Sequence, residues 1–427
     1  MSTREEAADL VVVGAGAAGL WAAARAGELG LGHVVLLEKT PRTGTKVLAS
    51  GGTHCNLTTT LPPDAAARTF GPSGERFLRT AFRELPPLAV RERFARLGVP
   101  TVEAPLDKVF PASGRARDVR DALERAAREA GARLELEFAV ASFERDGDAW
   151  CVRAADGRAV RARALLLCPG GASYARTGTT GDGYAWLSRL DLRLVPPVPA
   201  LAPLASPAAW VHSLSGISMQ EAEVRLVDAS GRKLAERRRP ILFTHQGVSG
   251  PGAMDVSEAV ARRQEAEADG DARCELVIDL LPEVEREELR ERLIEFAGRR
   301  GEVRIARALN GRVPRRLLAC VCEVAGLADE NPDCSRLTKA TRHALVETIK
   351  GLRVPISGTL GFDQAEVTAG GLHLGEVDPG TMRVRRVDGL WVCGELLDLT
   401  GPIGGLNFQA AFACAELAAR SLASRPR

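Results

Sequence analysis

The stretch from Asp9 to Gly30, DLVVVGAGAAGLWAAARAGELG, constrains the fold more than any other part of the chain. Leu10 to Val13 is a short apolar run of the kind buried in a parallel sheet, and Gly14, Gly16 and Gly19 follow it as G-x-G-x-x-G. Gly14 suits a tight turn, Gly16 lets the backbone approach a pyrophosphate, and Gly19 lets helix and strand pack closely. The helix N-terminus then faces the anion, and Ala17, Ala18, Ala22 and Ala23 keep the contact small-sided. His33 to Leu37 reads as the next strand and ends at Glu38, where a carboxylate accepts hydrogen bonds from an adenosine ribose and disfavours a 2′-phosphate. These features predict a nucleotide-binding α/β domain, and by themselves they do not separate NAD from FAD.

At 427 residues the chain is long for one core, so two or three modules are expected. With 57 basic and 55 acidic residues the net charge is +2 and no block of one sign stands out, which argues against a nucleic-acid partner. The nine cysteines are scattered without C-x-x-C or His/Cys metal spacing, so neither a disulfide framework nor a metal site is expected, and a reducing cytoplasm fits. Arg4, Glu5 and Glu6 run straight into the glycine motif, unlike a signal peptide. Residues 194–220 are uncharged and long enough to cross a bilayer, but Pro196, Pro197, Pro199, Pro203 and Pro207 break them as a helix. They read as an inter-domain crossing, and no membrane partner is expected.

After Glu38, Lys39 to Thr60 is rich in Gly, Thr and Ser and reads as a loop at the ligand-binding end of the sheet. Its backbone amides at Gly51 and Gly52, with Lys39, Lys46 and Asn56, are assigned to phosphates or a ring edge. Cys55 has no second thiol nearby, which excludes dithiol chemistry; it stands as a candidate nucleophile beside its plainer reading as a small buried residue. Apolar spacing predicts helices between Phe77 and Gly98, broken at Pro86 and Pro87, and from Ala116 to Glu129, closed by Gly131. Arg133 to Phe143 alternates as a strand, with Val140 assigned to the cofactor site, and Ala164 to Leu167 is a buried run. That run ends in Cys168-Pro169-Gly170-Gly171, where Gly170 and Gly171 let the backbone pass under a nucleotide and Cys168 packs.

From about Pro196 the pattern turns β-rich. Ala222 to Val227 and Lys233 to Phe243 flank a hairpin turn at Asp228 to Gly231, and Cys274 to Leu280 is another strand, suggesting a small β-barrel-like domain. Within it, Ser249 to Gly252 is placed to open a helix, and His245 is the candidate proton carrier beside its reading as a histidine held by backbone contacts. Pro282 to Lys350 is charged and helical; Cys320 and Cys322 do not share a helical face there and form no redox pair. The expected division is 1–195 and 352–427 for a nucleotide-binding domain built from both chain ends, 196–281 for the β-rich domain and 282–351 for a helical insert, with the return near Ile356.

The C-terminal stretch decides between cofactors. Leu390 to Cys393 is a buried strand ending in Gly394-Glu395, where a carboxylate takes hydrogen bonds from a ribityl chain. Gly404-Gly405 then opens the last helix at Leu406 and Asn407, and a helix N-terminus aimed at the flavin N1 and C2 carbonyl edge stabilises the negative charge of reduced flavin. A dehydrogenase using NAD alone has no need of such a return, so FAD is expected.

Three stretches resemble the BaiN/RdsA-type NAD(P)/FAD-dependent oxidoreductases: Gly51-Gly52 with Cys55-Asn56-Leu57-Thr58, Leu242 to Pro251, and the end of the chain with Thr381-Met382, Gly389-Leu390, Gly394-Glu395, Asp398, Gly404-Gly405, Asn407 and Gln409. The sequence departs from the family at Thr53 and His54, where Gly and Arg are usual. The resemblance implies a bacterial α/β flavoprotein with a Rossmann-like FAD-binding domain. No second G-x-G-x-x-G follows a strand, so NADH or NADPH, if used, visits transiently. The expected function is hydride exchange between flavin and a small organic substrate, either reduction of an activated C=C bond or oxidation of a small amine. Thr368, Gly370, Gly371 and His245 are expected nearest the reacting face. Flavin-dependent one-carbon transfer of the tRNA-modifying type and a non-catalytic flavin-binding role are the alternatives.

Overall fold

The computed structural model describes residues 7–266, 273–299 and 301–424; Arg4, Glu5, Glu6 and Arg300 lie outside them. The chain divides into two compact units, residues 1–198 with 366–427, and residues 199–365. The first is built on a seven-stranded sheet. Strand β1 (Ala8–Val13) is central and pairs in parallel with β2 (Val34–Leu37) on one side and with the strand Ala159–Leu167 on the other. Leu390–Val392 joins Ala159–Leu167 in parallel, so the C-terminal segment completes the sheet that the N-terminus began.

Helix α1 (Ala17–Glu28) leaves β1 through the glycine turn. Gly14 has φ +98°, and a Cβ on Gly19 would lie 1.9 Å from the Gly14 carbonyl oxygen, so the two glycines set the angle between strand and helix. The helix Leu406–Ala423 packs along α1. Trp21 meets Phe412 at 4.8 Å and Phe94 at 6.1 Å between ring centroids. Each of these fully buried rings contributes on the order of 2–3 kcal/mol of apolar burial. The buried Glu416 carboxylate ties the same helix pair, accepting from Trp21 Nε1 at 3.1 Å and Arg25 Nε at 2.8 Å.

Several local expectations change. The stretch after Glu38 is not all loop: Thr45–Ala49 forms a short helix, α2, and Thr58–Thr59 a strand. Arg133 to Phe143 is two strands, Arg133–Glu135 parallel to β2 and Val140–Asp146 antiparallel to Ala149–Ala154, because Glu137 turns the chain at φ +53°. Lys233 to Phe243 breaks at Pro240 into Lys233–Arg238 and Ile241–Thr244, which join different sheets.

The second unit contains a five-stranded and a four-stranded sheet. The β-rich stretch and the following helices, Arg286–Ala297, Arg315–Val324 and Lys339–Ile349, share one core, with Leu226, Phe243, Leu293 and Val346 all buried in it. Leu352–Ile356 pairs with Cys274–Asp279 and stays in this unit, so the chain returns at Glu366 rather than near Ile356. Among the described residues no helix is long and apolar enough to cross a membrane.

Candidate functional site

Glu38 follows β2, and Glu395 follows Leu390–Val392, at the C-terminal ends of parallel strands. Glu38 is tethered at the mouth of the glycine turn: Oε2 accepts from the Ala15 amide at 2.9 Å, and Oε1 accepts from the Thr40 amide at 2.9 Å and the Thr40 hydroxyl at 2.8 Å. Helix α1 begins at Gly16 with no side-chain cap, leaving its first N–H groups for an anion. A Cβ on Gly16 would meet nothing within 4 Å, whereas one on Gly14 would strike the Cys168 carbonyl oxygen at 2.3 Å. Gly14 and Gly19 therefore serve packing, and Gly16 keeps space open. Ala18 lies on the same turn, and a Cβ on Gly394 (φ +76°) would come within 3.2 Å of its Cβ, which brings the two glycine segments together.

Lys46 on α2 donates to both oxygens of Glu395, at 2.8 and 2.7 Å. Glu395 Oε1 also accepts from the Thr368 amide at 2.8 Å. Thr368 Oγ1, fully buried, accepts from the amides of Ala172 at 2.9 Å and Ser173 at 3.0 Å. A Cβ on Gly171 would fall 2.4 Å from Thr368 Oγ1 and 2.7 Å from Glu395 Oε1, and one on Gly370 would fall 2.3 Å from the Pro196 carbonyl oxygen. Gly171 thus admits Thr368 and Glu395, and Gly170, at φ +81°, admits Thr179. Lys39 donates to Thr180 Oγ1 at 2.5 Å and Asp182 Oδ2 at 2.6 Å.

The last helix opens at Gly405, φ +78°, again without a side-chain cap, and Gly405 lies where a Cβ would strike the Thr58 carbonyl oxygen at 2.2 Å. Gly404 precedes it at φ +146°, and Leu406 is buried. Asn407 braces the loop before the helix: its Oδ1 accepts from the Gly401 amide at 2.8 Å and its Nδ2 donates to the Gly401 carbonyl at 2.9 Å. Gln409 is fully buried, accepting from Thr58 Oγ1 at 2.6 Å and donating to the Leu85 carbonyl at 2.7 Å. The Asp398 amide donates to the Leu372 carbonyl at 3.0 Å. Asn56 Oδ1 accepts from the Val109 amide at 3.3 Å, and Gly51 and Gly52 are both left-handed, so these three residues shape the loop through the backbone. Val140 stands opposite Ala154 at the start of its strand.

The two candidate catalytic residues are placed differently. Cys55 is 1 % exposed, and burial pushes its thiol up to about 12 against a weak opposing hydrogen bond from Ser50. Such a thiol is not a nucleophile at neutral pH. His245 belongs to the other unit, exposed on the turn between Ile241–Thr244 and Gly247–Ser249. The helix expected after Ser249 is only the four residues Pro251–Met254.

Sequence reading missed Asp182, Ser173 and Tyr184. The Tyr184 hydroxyl is buried without a hydrogen-bond partner among the described residues, and burial, with the charges of Glu395 and Asp398, holds the phenol well above its ordinary pKa against the opposing Thr368 hydroxyl. Thr368 has already filled both lone pairs with amides and shares its proton with Ser173 at 2.8 Å. The glycines at 178, 181 and 183, closely following Cys-Pro-Gly-Gly, were the available signal for this segment.

Open space at Gly16, two uncapped helix N-termini and two tethered carboxylates fit a flavin adenine dinucleotide, and the fold is the Rossmann-type FAD-binding fold of an oxidoreductase. Residues 8–421 match the family described as HI0933-like protein Rossmann domain, and the chain belongs to that family. It is 30% identical over 417 residues to a 3-dehydro-bile acid delta(4,6)-reductase of Clostridium scindens, covering 97% of this chain and 99% of that one. It is 28% identical over 419 residues to a ribosomal RNA dihydrouridine synthase of Escherichia coli, covering 97% and 99%. Among solved structures, 3-ketosteroid delta1-dehydrogenase of Sterolibacterium denitrificans shares the fold at TM-score 0.54 and 14% identity, covering 98% of this chain and all of that one. The 3-ketosteroid-delta4-(5alpha)-dehydrogenase of Rhodococcus jostii does so at TM-score 0.52 and 16% identity, covering 99% of each.

Proposed function

We propose that this chain reduces a carbon–carbon double bond conjugated to a carbonyl group in a small organic substrate, as a cytoplasmic enzyme. When bound, FAD supplies the two-electron chemistry. Glu38 and the uncapped start of α1 serve its adenosine and pyrophosphate end, and Glu395, held by Lys46 and Thr368, serves its ribityl chain. The uncapped start of Leu406–Ala423 carries a partial positive charge that would stabilise the negative charge of a reduced flavin held beside it. The single observation that carries the flavin part of the reading is the Lys46–Glu395–Thr368 arrangement, which joins the N-terminal and C-terminal segments of the first unit.

The choice of a conjugated double bond is supported by the relatives' names. A delta(4,6)-reductase of 3-dehydro-bile acids and a dihydrouridine synthase both saturate such a bond, although their substrates differ greatly in size. A small-molecule substrate suits a chain with 57 basic against 55 acidic residues, since RNA binding draws on many unpaired cations. The reducing cytoplasm suits nine free, buried cysteines. A second reading, uridine in ribosomal RNA as substrate, is favoured by the two dihydrouridine synthases at 28% identity.

The test is to photoreduce the FAD-loaded protein anaerobically with EDTA as the electron donor and mix it with a cyclic enone, with a uridine-containing RNA fragment, or with buffer. Return of the oxidised flavin band with the enone alone supports the first reading, and return with RNA alone supports the second. No return with either contradicts both.

A further inference from the structure

Tyr174 is an aromatic residue held at φ +60°, a left-handed conformation in which a bulky side chain is an outlier. It sits just beyond Gly170 and Gly171, at the ligand-binding end of the strand Ala159–Leu167, and its ring lies under the Arg176 guanidinium at 5.2 Å. Arg176 is exposed, and among the described residues it forms no ion pair. Most other arginines of this unit are matched to acids, as Arg158 is to Asp156 and Arg115 to Asp118. The segment is fastened to the loop after Glu38, where Thr45 Oγ1 donates to the Thr177 carbonyl and a Cβ on Gly178 would fall 2.7 Å from Thr40 Cγ2. That loop carries a second exposed arginine, Arg42, which likewise forms no ion pair among the described residues.

We propose that Tyr174, Arg176 and Arg42 form a docking site for the phosphate-bearing end of a pyridine dinucleotide, with preference for the one carrying a 2′-phosphate. The inference rests on the reductase reading above, since it supplies the electron donor for that reaction. A ring backed by a guanidinium offers one stacking face for a base, and an unpaired guanidinium offers fork-shaped donors to a phosphate monoester. Glu38 disfavours a 2′-phosphate in the glycine-turn site, and the chain has no second glycine fingerprint, so such a dinucleotide needs a separate foothold. One ring and two arginines suit a single nucleotide rather than an RNA strand, whose affinity comes from many phosphate contacts.

The experiment is isothermal titration of the FAD-loaded protein with NADP⁺ and with NAD⁺, for the wild type and for Arg176→Gln and Tyr174→Leu. The wild type is expected to bind NADP⁺ about tenfold more tightly than NAD⁺, a margin of the size set by one charge-assisted contact. Arg176→Gln is expected to erase that margin while leaving FAD content and NAD⁺ affinity unchanged, and Tyr174→Leu to weaken both dinucleotides. Equal affinities in the wild type, or a margin that survives Arg176→Gln, overturn the proposal. Loss of FAD from Arg176→Gln also overturns it by assigning the patch to the cofactor. These readouts involve no turnover, so failure of double-bond reduction is recorded separately.

Discussion

Lys46 and Glu395 stand 349 positions apart in sequence and meet in a two-pronged ion pair, Nζ to Oε1 at 2.8 Å and to Oε2 at 2.7 Å. Both side chains are about one-fifth exposed, so solvent weakens the pair without abolishing it. Its main effect is to fix the carboxylate that also receives the Thr368 amide. Glu395→Gln keeps the shape and removes the charge, and is expected to weaken FAD binding about tenfold or more, equivalent to about 1.4 kcal/mol. Fluorescence titration with FAD reads this directly, and an unchanged affinity would remove Glu395 from the cofactor site.

Gly16 and Gly19 separate binding from folding. A methyl on Gly16 meets nothing among the described residues within 4 Å, whereas one on Gly19 overlaps the Gly14 carbonyl oxygen at 1.9 Å. Gly16→Ala is expected to melt like the wild-type apoprotein while binding FAD at least tenfold more weakly. Gly19→Ala is expected to lose several degrees of melting temperature even without FAD. The opposite pattern in thermal melts and FAD titrations would contradict the roles assigned to the turn.

Glu416 makes stability depend on pH. Burial alone would raise its pKa, but hydrogen bonds from Arg25, Arg420 and Trp21 outweigh this and hold it below the ordinary carboxylate value of 4.5. A depressed folded pKa contributes stability that is fully present above the unfolded value and is lost as pH falls through the folded one. Glu416→Gln is expected to cost about 2 kcal/mol at neutral pH, because Arg25 loses its buried carboxylate partner and keeps only Glu28. The loss should shrink toward pH 3, and denaturant melts at pH 7 and pH 3.5 check it. A pH-independent difference would contradict the account.

Thr53 carries φ +72° in the loop between Gly52 and Cys55, a conformation costly for a β-branched residue. Thr53→Gly is expected to stabilise the protein by about 1 kcal/mol, the strain being larger than the entropy that glycine adds to the unfolded chain. A lower melting temperature for the variant would show that the Thr53 side chain compensates for its backbone.

The glycine turn, β2 with Glu38, and the closing strand and helix were legible because each is written in adjacent residues whose spacing has one physical use. What was hidden depends on distant partners or unusual backbone. Nothing local marks Glu416 as the anchor of Trp21 and Arg25, nearly 400 residues away. Glu137 and Tyr174 adopt left-handed conformations without being glycine, so the break at residue 137 and the half-buried ring at 174 left no sequence signal. The return was expected near Ile356, but nothing local shows that Leu352–Ile356 pairs with Cys274–Asp279, and that pairing moves the return to Glu366. Cys55 was singled out for its loop position, but the loop folds it inward.

The central claim is that electrons leave this protein's FAD for a conjugated double bond. The most direct measurement is a single anaerobic turnover of the reduced, FAD-loaded protein with one equivalent of a cyclic enone, followed by mass spectrometry of the product. The account predicts one saturated ketone, two hydrogens heavier than the substrate, for each flavin reoxidised. Flavin that stays reduced, or is reoxidised while the enone is recovered unchanged, would contradict it.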